Sequence, residues 1–510
     1  MESASIAAGD PEGAAAGDKG LKTGAIGYLS NLVIGIASTA PAYSLAATLG
    51  FVVAVGGMGA HAPAIMIVSF IPMVLIAAAY NYMNKADPDC GTSFTWVTRA
   101  MGPRLGWLTG WAIVAADVVV MATLAYIAGV YTFKLFGMEA AANSLLDVSI
   151  VAAVWIAVMT WICYVGIELS ARIQYVLLTA EIVVLGLFSV VALAHVYIGH
   201  QGTPIEASWF SPFSLPGGWS SLVDGVLLGV FIYWGWDSGV CVNEESRDAA
   251  NGPGRAAVMS TIILVLIYVI VAAAAQSYAG TIFLKHNADD VLSTLGTNVF
   301  GSPLDKLLII AVLTSASAST QTTILPTART TLSMARFGAI PKVFGRIHPR
   351  YLTPDVSTIT MGVVSLIWTL IIINVSQNVL GDSITGLGFQ IAFYYGLTGF
   401  ACAIYFRKEL FKSLKNFVMV GVAPFLGGAM MTGIFIKAMI DNKDPASAYS
   451  GGVFGIGAAV AIGVGLLVVG VVVLFIANIA YPKFFKRKWE TAEPGVLEGT
   501  VKGEASVMSD

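Results

Sequence analysis

The chain has 510 residues, 57% of them hydrophobic and only 11% charged, with a mean hydropathy of +0.79. A soluble domain of this length has no use for so much apolar surface, and long uncharged runs require a bilayer. The net charge of −3, with basic residues scattered along separate segments, excludes a nucleic-acid surface.

Residues 1–22 are Ala- and Gly-rich and acidic, with no apolar core. They read as a disordered cytoplasmic tail and not as a signal peptide, which is compatible with direct insertion into an inner membrane. Twelve apolar runs follow, over about 26–54, 60–82, 104–133, 147–167, 171–198, 219–242, 256–283, 303–332, 355–376, 384–406, 417–440 and 451–480. Residues 483–510 form a second tail, and its segment 481–490, YPKFFKRKWE, mixes basic and aromatic residues as an inner-leaflet contact would. With the N-terminus inside, 22 of the 27 Lys and Arg fall on the inner side, so both termini are expected in the cytoplasm. Cys90, Cys163, Cys241 and Cys402 lie far apart and form neither a metal pattern nor a disulfide framework.

The first span is irregular at Ala37-Ser38-Thr39-Ala40-Pro41. Pro41 has no amide hydrogen and disfavours helix at Ala40, but it suits the first turn of a new half-helix. Freed amides of Ser38, Thr39 and Ala40 would favour an anion such as a carboxylate. Carbonyls near Ile34 and Gly35 would accept from an ammonium. The sixth run has the same character: Gly235, Trp236, Asp237, Ser238 and Gly239 interrupt it, and a carboxylate at bilayer depth costs about 2.5–3.5 kcal/mol on insertion scales. The opened backbone of Phe231, Ile232 and Trp234 would supply further acceptors there. Broken helices at the midplane are how many transporters build a substrate site.

Asp117 in the third span and Glu181 in the fifth are further intramembrane acids, and so candidates for carrying a proton. The eighth span carries TSASASTQTT at 314–323, whose hydroxyls, Ser317 and Thr320 among them, are the candidates for a Na⁺ site. Of the aromatic residues near the breaks, Phe231 and Tyr395 are the expected gate.

Two features repeat at nearly one spacing. MGPRLGWL at 101–108 is echoed by FGSPLDKLL at 300–308, and the Ala37–Pro41 break precedes Gly235 by almost the same distance. Five spans lie between the paired elements, and an odd number sets the two halves in opposite orientations. That is an inverted repeat of five helices (23–200) and five helices (201–410), with two more helices at 411–482.

At these residues the chain resembles the amino acid–polyamine–organocation (APC) superfamily of permeases. The resemblance rests on DPDCGTSFTWVTRAMGPRLGWLTGW (87–111), GIELSARIQ (166–174), FIYWGWDSGVCVNEESRDAANGPGRA (231–256) and ARFGAIPKVFGRIHPRYLTPDVST (335–358), in matching order over roughly 24–480. It implies an all-α integral membrane protein of twelve transmembrane helices, with a LeuT-like five-plus-five repeat and discontinuous helices 1 and 6. It also implies uptake of an amino acid by alternating access at the cell membrane, commonly driven by protons. In the family's pattern the first break, Ala37 to Ala40, holds the substrate carboxylate. The sixth, Phe231 to Trp234, holds the amino group. Two departures stand out: the first break lacks the usual Gly-Ser-Gly-like sequence, and Glu181 lies where many proton-coupled relatives carry a Lys. Coupling then falls to Glu181 or Asp117, with H⁺ the expected ion and Na⁺ the alternative. The alternative substrate is a polyamine or other organic cation, drawn by Asp117 and Asp237, and a less favoured reading is an amine-sensing transceptor. No nucleophile–base pair or metal cluster suggests an enzyme, no cofactor is expected, and the sequence leaves the oligomeric state open.

Overall fold

The computed structural model describes residues 19–491, apart from 289, 376–378, 448–451 and 454, together with residue 497. Eleven helices among them are long and apolar enough to cross a membrane: Tyr28–Ala54, Ala62–Ala86, Pro103–Leu135, Leu145–Val165, Ile167–Tyr197, Gly252–His286, Lys306–Arg336, Asp355–Asn374, Gly381–Tyr405, Leu414–Asp441 and Ala458–Ala480. They match eleven of the twelve expected runs, whose ordinal numbers are kept below. The sixth run is absent from the set because it is cut. Its helix, Gly218–Tyr233, is only 16 residues long and resumes as the single turn Ser238–Cys241. The first span is cut as well, into Tyr28–Ser38 and Pro41–Ala54.

Three local features differ from the sequence reading. The twelfth helix starts at Ala458 instead of residue 451, because Gly452–Val453 and Ile456–Gly457 pair as a minimal hairpin before it. A helix at Ser93–Met101 precedes the third span, and another at Val291–Phe300 lies between the seventh and eighth. Both are too short to span a bilayer, so a search for long apolar runs passes over them.

Burial sorts the spans. The first, third, eighth and tenth are largely enclosed, whereas the fourth, fifth, eleventh and twelfth present apolar side chains such as Val176, Val190, Phe475 and Ile479 outward. An outward apolar face is what lipid requires and water penalises. The eighth span contains many hydroxyls, yet it is enclosed almost continuously from Ser315 to Thr330. Several of those hydroxyls donate to carbonyls one turn back, as Thr320 does to Ala316 (2.8 Å) and Thr322 to Ala318 (3.2 Å). Self-satisfied hydroxyls cost little in an apolar interior.

The first span and the sixth segment pack antiparallel. Asn31 Nδ2 donates to the Gly239 carbonyl (3.3 Å), the Ser38 and Ser238 hydroxyls meet at 2.8 Å, and the Tyr43 ring edge faces Phe231 at 6.5 Å. Residue numbers rise along one element as they fall along the other.

The end of this helix pair near residue 246 is closed by buried ions. Lys19 pairs with Asp89 (2.7 Å) and with Glu244, and its carbonyl accepts from Arg336 (3.0 Å). Burial opposes the charge on Lys19, yet Asp89, Cys90 and Glu244 hold its ammonium well above the usual lysine range. Residues 1–18 of the expected tail lie outside the described residues, but Lys19 and Leu21, assigned to that tail, are buried against the helices. Asp89, Cys90 and Glu244 are close enough together to suggest a metal site. Lys19, bonded to both carboxylates, already supplies their cation. Deeper in, Arg329 forks onto Glu245 through three bonds of 2.9–3.0 Å, with both side chains fully enclosed.

Removing one partner of such a pair strands the other charge and costs about 3–5 kcal/mol, whereas replacing both with apolar residues is often neutral. Arg329→Met is therefore expected to lower the melting temperature of the detergent-purified protein sharply, and Arg329→Met with Glu245→Leu to recover most of the loss. Equal melting temperatures for wild type and the single variant would contradict this account.

Candidate substrate site

The break in the first span follows from Pro41. Ala40, held out of the right-handed helical region by the proline ring, adopts a left-handed conformation (φ 47°, ψ 65°), and Pro41 opens the second half-helix. The expected free amides are not free. Thr39 N donates to the Ile36 carbonyl (3.2 Å) and Ala40 N to Ala37 (3.1 Å). In the second half-helix, Ala42 N donates to Glu181 Oε1 (2.6 Å) and Tyr43 N to Ser315 Oγ (3.1 Å), while Ser315 itself donates to Glu181 Oε1 (2.8 Å). The positive end of that half-helix is already capped by the Glu181 carboxyl group. The other oxygen, Oε2, is buried with no partner among the described residues.

The break in the sixth segment depends on Gly235. Trp234 is extended (ψ 141°) and Gly235 has φ +118°, a region that side chains with a Cβ rarely adopt. A Cβ on Gly235 would lie 2.7 Å from the Ser38 carbonyl oxygen, so glycine also permits the two breaks to touch. The freed carbonyls find partners: Phe231 O accepts from Trp234 N (3.0 Å) and Ile232 O from the Tyr268 hydroxyl (2.8 Å). Asp237 accepts from three tyrosines, Tyr395 at Oδ1 (2.9 Å) and Tyr394 and Tyr80 at Oδ2 (3.2 and 3.3 Å). Trp236 stacks on Tyr395 with ring centres 5.3 Å apart.

A small cavity of about 20 Å³ lies where the breaks meet, room for roughly one water molecule. Of the expected binding residues, Ser38, Thr39, Ala40, Phe231, Trp234 and Asp237 line it, whereas Ile34, Gly35, Ala37 and Ile232 do not. Of the expected gate residues Phe231 lines it, and Tyr395 lies behind Asp237 while its neighbour Tyr394 lines the wall. Asp117 also lines the cavity, with Thr327 donating to its Oδ2. Glu181, Ser317 and Thr320 do not: Glu181 caps the half-helix, Thr320 bonds to its own helix, and the buried Ser317 hydroxyl has no partner among the described residues.

The sequence reading missed Tyr43 and Ser44, one turn past the break, and Pro326 on the eighth span, and it offered Ser319 and Thr323 only within the 314–323 stretch as cation ligands, not as cavity wall. Helical spacing carries that signal. Ile113, Asp117, Val120 and Leu124 fall at i, i+4, i+7 and i+11, one face of the third span, and Ser319, Thr323 and Pro326 repeat the pattern on the eighth. Two carboxylates, Asp117 and Asp237, thus share one cavity that, among the described residues, no Lys, Arg or His lines.

A bundle of apolar spans with two opposed helix breaks around an acid-lined pocket defines a multi-pass membrane permease. The amino acid permease family profile matches residues 26–483, and the chain belongs to that family. It is similar to the low-affinity putrescine importer PlaP of Escherichia coli (strain K12), 22% identical over 384 residues, covering 74% of this chain and 81% of that protein. It is also similar to the branched-chain amino acid permease BcaP of Bacillus subtilis (strain 168), 21% identical over 315 residues, covering 59% of this chain and 65% of that one. The vacuolar cationic amino acid transporter 4 of Arabidopsis thaliana is 25% identical over 325 residues, 59% of this chain and 52% of the relative.

The close approach of the breaks makes Gly235 intolerant of any side chain. Gly235→Ala is expected to reduce uptake at least tenfold while the protein still reaches the membrane, measured by radiolabel uptake normalised to surface abundance. Normal uptake would show that the contact with Ser38 is dispensable.

Proposed function

We propose that this protein is a secondary transporter that imports an amino acid with a cationic amine group across the cell inner membrane by alternating access. The observation that carries the proposal is the pairing of Asp117 and Asp237 on one cavity without a basic side chain. A carboxylate with hydroxyl partners but no cation beside it in a low-dielectric pocket favours a solute that brings positive charge. The antiparallel packing of the first span and sixth segment supports a LeuT-like arrangement of twelve helices, the sixth being discontinuous, and the Lys and Arg bias supports cytoplasmic termini. A cavity of this size is an occluded state, and Phe231, against Tyr43, is the side chain that must swing to admit a solute.

A second reading is a polyamine. It is favoured by the occupation of the first-span amides: Ala42 by Glu181, Tyr43 by Ser315, and Thr39 and Ala40 within their own turn. A substrate carboxylate would have to displace Glu181 to use that end of the half-helix.

Glu181 is proposed as the proton-coupling group. It is enclosed, it caps a half-helix at the site, and one of its oxygens is unpartnered. A Na⁺ site on the eighth span is less well supported, since neither Ser317 nor Thr320 lines the cavity.

Counterflow in proteoliposomes with leucine, arginine and putrescine tests the substrate. Exchange is expected with the cationic compounds, and Asp117→Asn or Asp237→Asn should raise KM at least about tenfold. If no labelled amine exchanges, the transporter reading falls; unchanged kinetics in both variants would make the acids structural. Glu181→Gln keeps an acceptor for Ala42 and loses the titratable group. It is expected to retain counterflow and lose accumulation driven by a proton gradient, and strict Na⁺ dependence of the wild type would overturn proton coupling.

A further inference from the structure

At the inner side, by the Lys and Arg bias, a second cavity of about 590 Å³ opens beside the start of the third span. Its walls are the Thr98–Pro103 segment, Arg407 and Lys408 after the tenth span, and Arg487 to Thr491 of the C-terminal segment. Three distant parts of the chain thus bring Arg99, Arg407, Lys408 and Arg487 to one hollow, against one carboxylate among the described residues, Glu490. Arg99 is committed to Asp87 at 2.8 Å. Among the described residues Arg407, Lys408 and Arg487 have no carboxylate partner.

Other observations converge on an absent anion. Arg487 is held below the usual arginine range by burial and by the like charge of Arg99. The Trp489 indole, over which Arg487 lies at 4.7 Å, has a buried Nε1–H without a partner among the described residues. The 33-residue helix Pro103–Leu135 begins at this wall, and its first turn adds the positive end of the helix dipole. The C-terminal segment is also fixed in place, because Phe484 stacks on Phe94 at 6.0 Å and Phe485 is buried. A fixed hollow of unpaired cations near a helix end is the chemistry that recognises phosphate.

We propose that this hollow binds a phosphate-bearing anion, held by Arg407, Lys408 and Arg487. The site is separate from the substrate cavity. Two sources share the chemistry: the headgroup of an anionic inner-leaflet lipid, for which basic pockets at the inner ends of spans are suited, and a soluble phosphate compound.

Native mass spectrometry of the full-length protein, purified from bilayers containing cardiolipin and phosphatidylcholine, tests the proposal. The wild type should retain cardiolipin, and Arg407→Gln/Lys408→Gln/Arg487→Gln should lose it by about fivefold for each charge removed, with phosphatidylcholine retention unchanged. The charge-conserving Arg407→Lys/Arg487→Lys should keep most of it and reports whether the fold survives substitution. If pyrophosphate binds the wild type, displaces the lipid and fails to bind the triple variant, the site is assigned to soluble phosphate. If wild type and triple variant retain cardiolipin equally and neither binds pyrophosphate differently, the proposal is wrong.

Discussion

A helix cannot be interrupted at bilayer depth unless its orphaned amides and carbonyls find partners inside the protein. This chain interrupts two, and most of its polar interior is arranged around that requirement. Glu181 and Ser315 meet the amides of Ala42 and Tyr43, Ser319 donates to the Ser38 carbonyl, and Tyr268 donates to Ile232. These partners come from the fifth, eighth and seventh spans. The breaks therefore fix which spans must pack against them, and the polar residues of those spans follow.

This changes the kind of pocket the site provides. The sequence suggested recognition by bare backbone, with the charged groups of a solute meeting freed amides and carbonyls. In the structure many of those backbone groups are already engaged, and the cavity walls present side chains instead: the carboxylates of Asp117 and Asp237, the hydroxyls of Ser319 and Thr323, and the ring of Phe231. Glu181 occupies the half-helix end that a substrate carboxylate would seek. On the function proposed above, the side-chain acids weigh more in selecting the solute than the helix dipole does.

Much of the fold was legible because its signals are local. Apolar runs gave the spans, Pro41 gave the first break, and Gly235 with Asp237 gave the second. The same local reading placed Ser38 to Ala40, Phe231 and Trp234 at the cavity. It failed where a partner lies far along the chain. Nothing near Glu181 in sequence announces that it will cap a half-helix 139 residues away, and nothing near Asp237 announces Tyr80. It failed also where a short amphipathic element, such as Ser93–Met101, is defined by packing and not by length. The cavity-facing stripes of the third and eighth spans lay between these cases. Their period was visible, but which face of an all-apolar helix looks inward is decided by neighbours.

The anchoring of the two breaks differs. Asp237 is tied by tyrosine hydroxyls to the second and tenth spans, through Tyr80, Tyr394 and Tyr395. The opposite break is tied to the fifth and eighth, through Glu181, Ser315 and Ser319. Across the cavity they touch through the Ser38 and Ser238 hydroxyls, the bare backbone of Gly235, and the edge of Tyr43 against Phe231. The two breaks are thus held by different helices, one by the second and tenth spans and the other by the fifth and eighth, while Arg329 of the eighth span and Asn31 of the first join the sixth segment nearer residue 246. The bonds that hold each break in shape are therefore made by different partners, so the two breaks are shaped independently of one another.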